Sequence, residues 1–213
     1  MDLKIVRSHR KSIGITVKDN EVVVRAPHYL SDAEVKLELK EHQLWINEKL
    51  KQHEKRQIKS DSFRESGKFL LLGRELVVKR IEGKKISVYG QEITIGSNSN
   101  IDRFLKNEFS NIIEDMVDGW GHINKPTSIT YRKQRTIWGS CTAKGRINLN
   151  INLVKAPIEV IEYIYIHELV HMEIRNHSKV FWTRVETLLP NYKSAKKWLK
   201  DNGHLIGMDF MLK

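Results

Sequence analysis

Cysteine is almost missing from this chain. Cys141 is the only one in 213 residues, which excludes an internal disulfide framework and fits a reducing compartment. No apolar run approaches the roughly 18 residues that a membrane-spanning helix needs. The opening MDLKIVRSHRK lacks the apolar stretch of a secretory leader. Together these absences predict a cytoplasmic protein with no membrane partner. There is no internal repeat and no low-complexity tract. There is also no glycine loop of the P-loop or dinucleotide type to cradle a phosphate. Acidic residues are missing from one long stretch: none lies between Asp118 and Glu159. That stretch carries Lys125, Arg132, Lys133, Arg135, Lys144, Arg146 and Lys155. It reads either as a solvated face or as the lining of a cleft for an anionic substrate.

What is present is the composition of a globular protein, with 40% hydrophobic and 30% charged residues and a net charge of +11. The length allows one ordinary domain or two small ones, with a core that needs no staples. Ile13, Ile15 and Val17 alternate with other residues, as do Val22 and Val24, and Asp19-Asn20 lies between the runs. This predicts a β-hairpin, which Pro27 ends. Ser31 and Glu34 form a capping box for a helix reaching about Gln57. Short glycine-punctuated strands follow over residues 67–96. GSNSN at 96–100 is the best domain boundary. A helix over Ile101–Trp120 is predicted next, then strands near 128–132, 136–141 and 145–150, the last two joined by a turn at 143–145. Pro157 suits the first position of an apolar, central helix. Helices over Ser178–Leu188 and Tyr192–Asn202 complete the reading.

The central helix ends in HELVHMEIRNHSKVFW, residues 167–182. His167 and His171 are one helical turn apart, so their imidazoles share a face. Both can reach one metal ion about 2.0–2.1 Å from each nitrogen. Glu168, about 100° round the axis, cannot join them as a ligand but can lean over a water beside the metal. Two ligands and a general base from one turn is the physical content of H-E-x-x-H. A zinc site needs a third protein ligand. His177 supplies it only if the helix stops first, because a continuing helix would point it about 240° away. Asn176 offers a left-handed stop, and Ser178 can cap the next helix. The offsets match the metzincin pattern, although Ile174 stands where that pattern has its turn glycine.

Other residues carry less. Glu186 is an alternative third ligand, and Cys141 a soft fourth one or a buried hydrophobe. His204 could shield the site. Tyr163, Tyr165 and Tyr192 could offer an O–H to a developing oxyanion or simply pack. Glu173 falls on the wrong face. RSHRKS at 7–12 could hold phosphate or form an exposed basic strand.

WGSC at 138–141, INLN at 147–150, HELVH at 167–171 and NHSKVFW at 176–182 together resemble the YgjP-like family of metal-dependent hydrolases. RSHRKSI, VVVRAP, Trp45-Ile46 and LGR at 72–74 extend the resemblance over nearly the whole chain. The family is similar to small zincin metallopeptidases, including the SprT-like and WLM groups. The resemblance implies that His167, His171 and His177 hold zinc and that Glu168 is the base. Names within the family vary between zinc metallopeptidase and UTP pyrophosphatase. Members commonly have a basic residue before the Trp of WGSC, where this chain has Ile137, with Arg135 nearby.

The expectation is therefore an α+β fold. Residues 1–98 would be a β-rich N-terminal region with one long helix, and residues 99–213 a zincin-like catalytic domain. The leading function is a zinc-dependent hydrolase, one Zn2+ per chain, acting on a peptide or protein. The alternatives are a metal-dependent nucleotide pyrophosphatase and a nucleic-acid-associated module with structural zinc. The edge of the small sheet, at RINLN, is expected to hold an extended peptide.

Overall fold

The computed structural model describes residues 2–18, 21–134 and 136–207. It is an α+β protein that divides into two compact units, residues 1–63 and 64–213.

The first unit is a three-stranded sheet with two helices. β1 (Asp2–Ser8), β2 (Gly14–Lys18) and β3 (Glu21–Pro27) take the order β1-β3-β2. The hairpin of β2 and β3 is present in antiparallel register, with Val17 opposite Val22; its Asp19-Asn20 turn lies outside the described residues. β1 adds a parallel strand on the other side of β3. Alternation puts Val22, Val24 and Ala26 into a core shared with Val35, Leu39 and Ile46. The capping box at Ser31 is formed: Glu34 N–H donates to Ser31 Oγ at 3.3 Å, and Ser31 N–H donates to the Glu34 carboxylate at 2.7 Å. It starts α1 (Asp32–Glu41), and His42 separates this helix from α2 (Gln43–Glu65). The long helix thus has a break that apolar periodicity does not signal. It also runs past Gln57, because polar pairs one turn apart sustain it, such as Gln52 with Glu48 and Gln57 with Asp61. RSHRKS is partly structural: the Arg7 guanidinium donates to the carbonyls of Pro27 and Leu30 and pairs with Asp32.

The second unit holds everything else. Strands β4 (Lys68–Leu71), β5 (Arg74–Ile81), β6 (Ile86–Tyr89) and β7 (Glu92–Gly96) form a sheet ordered β4-β5-β7-β6. This sheet, grouped with the N-terminal half by the sequence reading, lies instead with the second unit. The reason is local. The β4–β5 turn, with Leu72 and Gly73 at φ 50° and 73°, donates its N–H groups to Val154 and Lys155 carbonyls at 2.8 and 3.0 Å. A Cβ on Gly73 would lie 2.8 Å from Pro157, so only glycine lets the turn approach.

α3 (Ile101–Trp120), capped by the Asn100 side chain, occupies the expected span. β8 (Ser128–Arg132), β9 (Gly139–Cys141) and β10 (Arg146–Asn150) form the small sheet. Its order is β8-β10-β9. β10 is therefore the central strand, and the expectation that RINLN forms the free edge is corrected: both its sides are taken, by β8 and β9. A buried 3-10 turn over Ile151–Lys155 leads to α4 (Ile158–Val170). Pro157 precedes this helix by one residue rather than opening it. α4 is buried on most sides, packing on β9, β10, the 3-10 turn, α5 (Lys179–Leu188) and α6 (Tyr192–Ile206). Its apolar composition is thus explained by its central place.

Phe109 tests this core. It is fully buried on α3, edge-on to Tyr131 of β8 at 5.5 Å. Phe109→Ala should cost about 3–5 kcal/mol of stability, seen as a lower urea midpoint with an unchanged slope. A loss below about 1 kcal/mol would mean that α3 does not pack as described.

Candidate metal centre

α4 delivers His167 and His171 from its last turn. The helix stops at His171, whose N–H still bonds His167 O at 3.3 Å. Met172 and Glu173 then tighten into a turn on the Leu169 and Val170 carbonyls. The stop comes earlier than Asn176, and Asn176 does not adopt the left-handed conformation expected of it. Instead its Oδ1 accepts from Ser178 N–H at 3.3 Å, a local turn that aims the chain into α5. Ser178 takes the N-cap position of α5 without a side-chain cap bond.

This path brings His177 back over α4. Its Nε2 lies 3.0 Å from His167 Nε2 and 3.2 Å from His171 Nε2. Three nitrogens each about 2.0–2.1 Å from a tetrahedral ion stand about 3.3 Å apart, so the spacing fits one metal. His171 Nδ1 is 3.1 Å from the Ile174 carbonyl. A carbonyl only accepts, so Nδ1 carries the hydrogen and Nε2 presents its lone pair to the cluster. Beneath the rings lies Phe181, fully buried, with its centroid 4.6–4.8 Å from all three imidazoles. Burial, reinforced by the other two imidazoles, pushes His167 down to about 3, and burial also lowers His171. Neutral imidazole is the form that binds metal. Among the described residues this is the one group of three or more His, Cys, Asp or Glu side chains suited to an ion.

Glu168 is 4% exposed, and its Oε2 has no hydrogen-bond partner. Burial pushes its carboxyl up to about 8; a cation on the neighbouring imidazoles acts in the opposite direction. An unpartnered buried carboxylate is costly, so a third party, metal or water, belongs beside it. The residues present fit a metal. Gly139 explains how β9 comes so close: a Cβ there would sit 2.6 Å from Glu168 Oε1. The glycine of WGSC is thus the seat of Glu168. Beyond β9, the Arg175 guanidinium donates to the Thr142 and Ala143 carbonyls at 3.0 and 3.1 Å, tying the β9–β10 turn to the segment after α4.

The remaining sequence candidates fall elsewhere. Glu186 pairs with Lys193 at 2.8 Å and is not in the cluster. Glu173 accepts from Asn124 and pairs with Arg184. Cys141 is half-buried on β9; burial raises its thiol, with Arg175 and Glu168 as its charged neighbours. His204 lines a cavity of about 290 Å³ with Trp138, Gln134 and Asn150. Tyr163 is edge-on to His167 at 6.0 Å and stacks on Tyr192; Tyr165 is fully buried. Arg135 lies outside the described residues. Sequence reasoning missed Gly139, Phe181 and Trp182. All three stand inside motifs it singled out, where spacing alone assigns them no partner.

A metallopeptidase domain matches residues 11–202, so the class is that of a metal-dependent hydrolase. The chain belongs to the YgjP-like family. No curated protein matches it. The crystal structure of the metallopeptidase zymogen of Pyrococcus abyssi abylysin is 26% identical over 43% of this chain and 91% of that one, with a TM-score of 0.36. No helix among the described residues is long and apolar enough to cross a membrane.

Gly139→Ala isolates the seat of Glu168. The added methyl must displace the carboxylate, so hydrolysis should fall at least about tenfold, while overpacking costs about 1–3 kcal/mol. Metal content by elemental analysis should stay that of the parent. Full activity in this variant would mean that Glu168 is not held against β9.

Proposed function

We propose that the protein is a zinc-dependent peptidase, with one zinc held by His167, His171 and His177 and with Glu168 as general base. The observation that carries this reading is the convergence of three Nε2 atoms from two segments beside a buried, unpartnered carboxylate. Zinc bound there supplies Lewis acidity to a scissile carbonyl and lowers the pKa of water toward ~7. Glu168 accepts the proton of the attacking water at Oε2 and returns it to the leaving amine. Ile174 O fixes the tautomer of His171. Phe181 keeps water from the far side of the triad and limits how the rings can tilt.

The peptide is best accommodated along β9. In the β9–β10 ladder, Trp138 O accepts from Asn150 N–H and Thr142 N–H donates to Arg146 O. Antiparallel residues alternate in direction, so the N–H and C=O of Gly139 and Cys141 face away from β10. They are free to pair with an extended chain, and Gly139 adjoins Glu168. This docking edge is β9, whereas RINLN is the central strand of the same sheet.

The pyrophosphatase reading rests on the acid-free stretch. Its Lys125, Arg132, Lys144 and Arg146 are exposed, but Lys133 is already paired with Asp102. A magnesium–phosphate site also calls for carboxylates, whereas the cluster here is all imidazole.

Purified protein should carry about one zinc per chain. His177→Ala should weaken zinc binding by more than the 10–100-fold typical of losing an outer-shell partner, by competition with a chelating dye; unchanged affinity would return Glu186 to consideration. Glu168→Gln should keep its zinc and lose about 10²–10⁴ in kcat/KM on unfolded protein. Run beside nucleoside triphosphates, the same pair of proteins decides the substrate class. Loss of triphosphate hydrolysis alone would overturn the peptidase reading.

A further inference from the structure

Next to the triad stands a cation that the chemistry above does not use. Lys196 of α6 places its Nζ 3.9 Å from the ring centroid of Trp182. That indole lies nearly parallel to His177, 5.7 Å away at 23°, and 5.8 Å from His167. It stacks in turn on Tyr192 at 5.6 Å and 17°. The order His177–Trp182–Tyr192 makes an aromatic wall running out from the site, with an ammonium fixed on it. Three nearby cations are paired with carboxylates: Lys193 with Glu186, Lys197 with Asp201 and Arg184 with Glu173. Among the described residues Lys196 has an aromatic face beneath it and no carboxylate. It is exposed, so its head can meet an incoming ligand.

We propose that Lys196, held over Trp182 beside the imidazole triad, recognises a substrate carboxylate, so that the enzyme selects peptides bearing one near the cleaved bond. The inference rests on the peptidase reading and adds its selectivity. A cation held by an aromatic face is fixed in position yet keeps its N–H donors. A carboxylate meeting it gains a charge-assisted contact, while Trp182 offers apolar area to the adjoining methylenes. The carboxylate can come from an Asp or Glu side chain or from the C-terminus of the peptide.

Lys196→Met tests this, because methionine can still cover the indole without the charge. Lys196→Arg should preserve the recognition. The probe is a set of fluorescein-labelled, C-terminally amidated neutral nonapeptides in which one Gln→Glu replacement is moved along the chain, plus the free-acid form of the parent. Binding is read by anisotropy on zinc-loaded Glu168→Gln protein, and kcat/KM is read on the active protein. One Glu position should bind about tenfold tighter than its Gln twin, the size of a single charge-assisted contact. If the terminus is the source, the free acid should be the preferred form instead. The ratio should fall to about one in Lys196→Met, persist in Lys196→Arg and shrink as salt rises. Equal ratios with and without Lys196, or no charge preference at any position, would overturn the inference. A Lys196-dependent binding ratio without any peptide hydrolysis would uphold carboxylate recognition by Lys196 and sink the peptidase reading. Hydrolysis without charge preference would do the reverse.

Discussion

The end of α4 at His171 is the constraint on which the site depends. Had the helix continued, His177 would face about 240° away from His171, and the cluster would have two imidazoles. The chain instead turns on the Leu169 and Val170 carbonyls and uses Asn176 to aim into α5. α5 then places Phe181 under all three rings. One helix supplies two imidazoles, the segment leading into the next supplies the third, and that next helix supplies the ring beneath them. The packing of α5 on α4 is thus also what fixes the spacing of the nitrogens.

The same economy of elements governs the carboxylate. Glu168 is buried because α4 is central and β9 crosses it closely. That closeness exists because position 139 has no side chain. A buried acid with an unmatched oxygen is unfavourable for folding. Its retention next to three convergent imidazoles is what turns a helix packed on a sheet into a site with chemistry. The β9–β10 turn is held by Arg175, so the segment that closes the triad also steadies the strand over Glu168.

Much of this was legible in the residues. α3 and the capping box at Ser31 follow from local rules, because their signals lie within a few residues of each other. The triad was legible because helix geometry converts spacing directly into direction. What failed was information carried by distant pairing. RINLN alternates as an edge strand would, yet nothing within it says that β8 and β9 flank it. The strands of 68–96 read as an N-terminal extension, but the Leu72-Gly73 turn bonds to residues some eighty positions later, at Val154 and Lys155. α2 outran its apolar pattern because polar side-chain pairs prolong it. Nothing in the sequence around Lys196 marks it out; only the fold lays it over Trp182.

The central claim is that three imidazoles, and no sulfur, hold one zinc. Zinc X-ray absorption fine structure on the loaded protein tests it most directly. The account predicts a first shell of nitrogen and oxygen at about 2.0–2.1 Å, with outer-shell scattering that counts three imidazoles and falls to two in His177→Ala. A sulfur scatterer at about 2.3 Å, which would implicate Cys141, or an imidazole count of two in the unaltered protein would contradict it.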